Sequence, residues 1–139
     1  MSYQMNISET SIYGPGKFKD ESGNTECVAF VRQATGIGPT LTWKKGKKII
    51  DTPIGGIKRY TAIATFDSNG KYPTDGKGRH AAIYLSHDPI KKIIYVLDQF
   101  NAQGMVRKRP IRFWENKNEL RSGQIYRRSN DSDTFFVIE

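Results

Sequence analysis

The sequence predicts an α+β fold, with one N-terminal helix carrying the single cysteine packed on an antiparallel sheet of about five strands. Three observations lead there. Cys27, Phe30, Val31 and Ala34 recur at the spacing of one helix face. From residue 60 onward, short apolar runs alternate with turns rich in Gly, Asn and Asp. A helix followed by a succession of strands belongs to the α+β class with an antiparallel sheet. At 139 residues and 37% hydrophobic content, the expectation is one domain spanning 1–139.

The elements follow in chain order. Residues 1–24 hold Gly14-Pro15-Gly16 and Ser22-Gly23-Asn24 and read as an irregular lead-in. Asn24 or Thr25 is placed to cap the helix, because its side-chain oxygen can accept from the free N–H groups of the first turn. Gly36 is the natural stop. Residues 37–59 form a long connection with two prolines, in which Trp43 is a packing anchor and Lys44-Lys45-Gly46-Lys47-Lys48 a solvated cationic loop. Tyr60 to Phe66 is the first strand, ended by Asp67-Ser68-Asn69-Gly70. Ala81 to Ser86 and Ile93 to Phe100 make an antiparallel hairpin, with His87-Asp88-Pro89 as its turn. Pro110 to Trp114, Gln124 to Arg128 and Thr134 to Ile138 are three further strand candidates.

Composition narrows the function. One cysteine cannot form an internal disulfide, so the fold is expected not to depend on oxidation. The first fourteen residues lack a basic segment followed by an apolar one, which argues against a signal peptide. No apolar run reaches membrane-spanning length, so no integral membrane association is expected. Twenty-two basic against fourteen acidic residues give a formal charge of +8, favouring an anionic partner such as nucleic acid, a wall polymer, an acidic lipid surface or an acidic inhibitor protein. One Cys and two His give no ligand pair at metal-binding spacing. A Gly-x-Ser-x-Gly elbow and a Walker-type phosphate loop are both absent. No cofactor is expected.

What remains is thiol chemistry. The thiolate is the nucleophile, and a helix start favours it through the dipole and the free N–H groups. Cys27 stands in the first turn of its helix, where those N–H groups can also receive an oxyanion. Its place on the apolar stripe fits a cleft wall and equally a buried core. His80 opens the second strand beside Gly76-Lys77-Gly78 and is a candidate base, whereas His87 lies too far along an extended strand to share its site. A base imidazole needs a third group to orient it. Across the hairpin, His80 falls opposite Asp98 if Ser86 pairs with Lys92, and opposite Gln99 if Ser86 pairs with Ile93. Asn101 is a further candidate.

These segments carry a resemblance. Glu26-Cys27-Val28-Ala29-Phe30-Val31, Thr61-Ala62-Ile63-Ala64-Thr65-Phe66, His80-Ala81-Ala82-Ile83-Tyr84 and Tyr95-Val96-Leu97-Asp98-Gln99 resemble the NlpC-type and CHAP-type papain-fold amidases. The closer likeness is to the small amidase effectors of bacterial type VI secretion, over residues 24–101. Many NlpC-type enzymes open the first strand with Gly-Asp, where this chain has Arg59-Tyr60-Thr61. The resemblance implies a papain-like fold with Cys27 as nucleophile, His80 as base and Asp98 as orienter. It implies hydrolysis of amide bonds in peptidoglycan peptide stems, by a monomer with a cognate immunity protein as partner. Such a protein is made in the cytoplasm, exported by a type VI system and active in the periplasm of target bacteria.

Two rival readings differ in class. Arg107-Lys108-Arg109, Arg112, Arg121 and Arg127-Arg128 interleave with Phe113, Trp114 and Tyr126, a mix that suits nucleic-acid binding by phosphate contact and stacking. Five acidic residues are scattered among them and no nucleic-acid-binding signature occurs, so no nucleic-acid partner is expected. The other rival is a papain-like scaffold that binds without catalysis.

Overall fold

A computed structural model describes residues 2–121 and 123–139. Among them one α-helix, α1 (Cys27–Thr35), packs on a six-stranded sheet. The strands are β1 (Lys45–Lys48), β2 (Ala62–Thr65), β3 (Ala81–Asp88), β4 (Ile93–Asp98), β5 (Arg107–Ile111) and β6 (Phe135–Ile138). Their order across the sheet is β1-β6-β2-β3-β4-β5, and every pairing is antiparallel. The α+β class with a cysteine helix on an antiparallel sheet is therefore as the sequence predicts.

Both faces of the sheet are covered. On one, Phe30, Val31 and Ala34 of α1 meet Ala62, Ala64, Ala81, Ile83 and Leu97, with Trp43 packed into the same cluster. On the other, Ile49, Ile50 and Ile57 pack over Ile63, Ala82, Tyr84, Val96 and Phe135. Burial on both sides explains why β2 (Ala-Ile-Ala-Thr) is buried at all four positions and reads poorly as an alternating strand.

Several elements differ from the sequence expectation, each for a stated reason. The N-cap of α1 is Glu26, which makes no side-chain capping bond, so neither Asn24 nor Thr25 caps the helix. Gly36 ends it as expected, in the left-handed conformation with its N–H on the Arg32 carbonyl at 2.8 Å. The lysine-rich segment is not a loop but β1, an edge strand along β6, where exposed charge guards the open edge. The strand expected from Tyr60 starts only at Ala62, and Tyr60 itself takes a positive φ of 75°, off the extended backbone. β5 begins earlier than Pro110, and that proline is tolerated because β5 is the other edge of the sheet.

Gln124 to Arg128 is no strand. It wraps a buried carboxylate: Asp131 Oδ2 accepts from the Tyr126 hydroxyl at 2.7 Å, and Oδ1 accepts from the Trp114 N–H at 3.1 Å. His87 is no turn residue either. It lies buried inside β3, hydrogen-bonded to the Tyr84 hydroxyl and the Thr52 carbonyl, both at 2.7 Å. The pairing of β3 with β4 slips between Tyr84 and Ser86, and this irregularity puts Tyr84 and His87 together three positions apart.

Candidate active site

The site is built where β3 begins, β4 ends and α1 starts. Cys27 is the first residue of α1, and its thiol lies near the Tyr72 hydroxyl, with His80 and the Ala81 N–H close enough to bias its charge. The Tyr72 contact measures 3.9 Å. Cys27 is buried but not sealed: it lines a cleft of about 950 Å³. A core thiol would face no such space.

His80 is fixed from its backbone outward. Its N–H donates to Thr65 Oγ1 at 3.0 Å, and its carbonyl accepts from the Thr65 N–H at 2.9 Å. The ring packs edgewise against Phe100 and Phe135. Its Nε2 stands 2.6 Å from Asp98 Oδ2, and both side chains are buried. That bond leaves Nδ1 for the thiol.

Neither register expected for the hairpin is the observed one. Ile83 pairs with Leu97 and Tyr84 with Val96. His80 lies just before the ladder, and Asp98 reaches it diagonally from the same face. The side chains of Gln99 and Asn101 go elsewhere. Gln99 Nε2 donates to the carbonyls of Phe18 and Glu26, both at 2.8 Å, and Asn101 Nδ2 donates to Glu26 Oε1 at 3.0 Å. Of the three candidates, Asp98 alone has a bond to His80 among the described contacts. The end of β4 thus holds the histidine through one residue and the helix start through the next.

One residue of this centre was hidden in the sequence. Arg109 of β5 donates through Nε to the same Asp98 Oδ2 at 2.6 Å, and its Nη2 lies 3.5 Å from His80 Nε2. The sequence offers it only as one of three consecutive cations. The pairing of Val96 with Arg109 puts it on the face of Asp98.

The electrostatics favour an ion pair. Burial raises the Cys27 thiol, but the charge and hydrogen bond of His80, the Ala81 N–H and the Tyr72 hydroxyl outweigh it and leave the thiol lowered. Burial lowers the His80 imidazolium, yet the Cys27 charge and the hydrogen bonds to Asp98 and Cys27 raise it to about 9. For Tyr72, burial and then the Cys27 charge push the phenol upward, so it remains a donor at neutral pH. Among the described residues no group of three His, Cys, Asp or Glu is placed to hold a metal ion.

Comparisons with known proteins converge on one family. The model of domesticated amidase effector 2 matches residues 3–138. A type VI secretion amidase effector 2 protein of Salmonella typhi is 33% identical over 117 residues, covering 82% of this chain and 84% of that one. A solved structure of a type 6 secretion amidase effector 2 (Tae2) superposes with a TM-score of 0.69 at 33% identity, over 94% of each chain.

Proposed function

Since the chain belongs to the domesticated amidase effector 2 family, we propose that it is a cysteine amidase that cuts amide bonds in peptidoglycan peptide stems. Cys27 is the nucleophile, His80 the general base and acid, and Asp98 the group that orients His80. The observation that carries this reading is the 2.6 Å contact of His80 with buried Asp98, beside the chain's single thiol at a helix start opening on a cleft.

The chemistry follows from those positions. The Cys27 thiolate attacks the carbonyl carbon, and the free N–H groups at the start of α1 receive the oxyanion. The Tyr72 hydroxyl stands close enough to the thiol to add a further hydrogen bond. His80, protonated in the ion pair, gives its proton to the leaving amine as the C–N bond breaks, and a thioester forms. Water then loses a proton to His80 and attacks the thioester. The carboxylic acid departs, and the thiolate–imidazolium pair is restored. Throughout, Asp98 holds the Nε2 proton and stabilises the charged ring.

The relatives it matches are type VI secretion amidase effectors, which supports this reading. The reading extends to export from the producing cell and action in the periplasm of a target bacterium. A formal charge of +8 suits approach to an anionic wall and an acidic immunity protein as partner.

The test is mass spectrometry of soluble fragments from purified peptidoglycan treated with the wild type, Cys27→Ala and His80→Ala. New peptide ends are expected from the wild type and from neither variant. Full cleavage by Cys27→Ala would refute the mechanism.

A further inference from the structure

Two residues of the cleft that holds the thiol, Thr74 and Arg79, also face a second cavity of about 350 Å³. Arg79 is the residue before His80, and its backbone is held on both sides. His80 is tied to Thr65. On the other side, Gly78 has a φ of +95°, and a Cβ there would stand 2.7 Å from the Arg128 backbone nitrogen. Only glycine lets the two segments approach so closely. The Arg79 side chain is exposed and makes no ion pair or hydrogen bond among the described contacts. Its charge reaches the site, pulling the Tyr72 phenol down against the other influences on it.

The charge balance of the small cavity is one-sided. Its single carboxylate, Asp75, is already gripped by both terminal nitrogens of Arg128, at 2.8 and 3.0 Å. Arg127 also lines the cavity and spends Nη1 on the Gly76 carbonyl at 3.1 Å. Two guanidinium groups therefore border a space whose internal anion is taken. Guanidinium matches a carboxylate in charge and in its paired geometry.

We propose that the small cavity is a carboxylate subsite, in which Arg79, helped by Arg127, binds a free carboxylate of the peptide whose amide bond lies at Cys27. The proposal rests on the amidase reading above and adds a substrate feature to it: a stem peptide with that carboxylate free is preferred over one with it amidated.

The test uses purified cross-linked muropeptides in free-acid form and forms with each free carboxylate converted in turn to a carboxamide. For one of these, KM of the wild type is expected to rise about 10- to 100-fold with kcat little changed, the loss of one charge-assisted pair. Arg79→Ala should show the raised KM on the free acid and little further loss on that amide, and Arg79→Lys should recover part of the preference. Equal KM values for all forms, or a preference unchanged in Arg79→Ala, would overturn the subsite. Calorimetric binding of the same ligands to Cys27→Ala separates the two proposals. If the wild type cleaves nothing, an Arg79-dependent difference in binding supports the subsite, and no difference or no binding overturns it.

Discussion

At the scale of single residues, the charge around Asp98 sets the electrostatics of the proposed centre. His80 and Arg109 both bond Asp98 Oδ2, while Oδ1 is buried without a partner. Removing the carboxylate leaves a guanidinium 3.5 Å from the imidazole, with no anion between them. Against burial, the Cys27 charge and then the Asp98 hydrogen bond raise His80, so for Asp98→Ala we expect the alkaline limb of the kcat/KM profile, which follows the His80 imidazolium, to fall relative to the wild type. The rate should drop by no more than the ~10²–10⁴-fold that general acid–base catalysis supplies, a smaller loss than for Cys27→Ala. Adding Arg109→Met should move the limb part of the way back; an alkaline limb unchanged by Asp98→Ala would contradict this account. Much of the centre was legible in the sequence, since a helix-start cysteine, a strand-opening histidine and an acidic residue on the partner strand each follow from local pattern. Arg109 was not, because its role depends on the β4–β5 register, which no local pattern fixes. His87 was misread because an irregularity in strand pairing leaves no mark in an alternating run.

At the scale of elements, Gln99 ties β4 to the start of α1. Its side chain is fully buried, and both amide protons go to the Phe18 and Glu26 carbonyls. Gln99→Ala strands those carbonyls and should cost about 1–3 kcal/mol in urea unfolding. It should also slow thiol alkylation at neutral pH, because the helix start loosens from His80; unchanged alkylation would limit Gln99 to stability alone. At the rim, Gly78→Ala combines a positive φ with a clash against backbone, so a loss above about 1 kcal/mol is expected in the same measurement. The helix and the central hairpin were readable because period and turn signals agree there. β1 and the segment after Trp114 were not. A lysine run becomes a strand only because β6 offers it an edge, and residues 124–128 yield to the buried charge of Asp131, which composition does not reveal.

At the scale of the whole molecule, the raised His80 imidazolium links stability to pH. A histidine raised from 6.5 to about 9 stabilises the fold fully below 6.5, and that contribution disappears as pH rises through 9. The difference in unfolding free energy between the wild type and His80→Gln should therefore shrink between those values; a constant difference would remove the linkage. The overall fold class was predictable because one helical stripe and a train of short strands allow few layered arrangements. The distribution of charge was not, since it depends on which strands end up at the edges: the cations of β1 and β5 lie along both open sides of the sheet. Whether Cys27 is a nucleophile poised by a buried imidazolium is read from the rate of its alkylation by iodoacetamide across pH. With one cysteine in the chain, every label is Cys27. A reactive plateau already present well below the ordinary thiol range is expected, with amidase activity lost in step with labelling. Reactivity rising only near pH ~8.5, as for a free thiol, with the labelled protein still active, would contradict it.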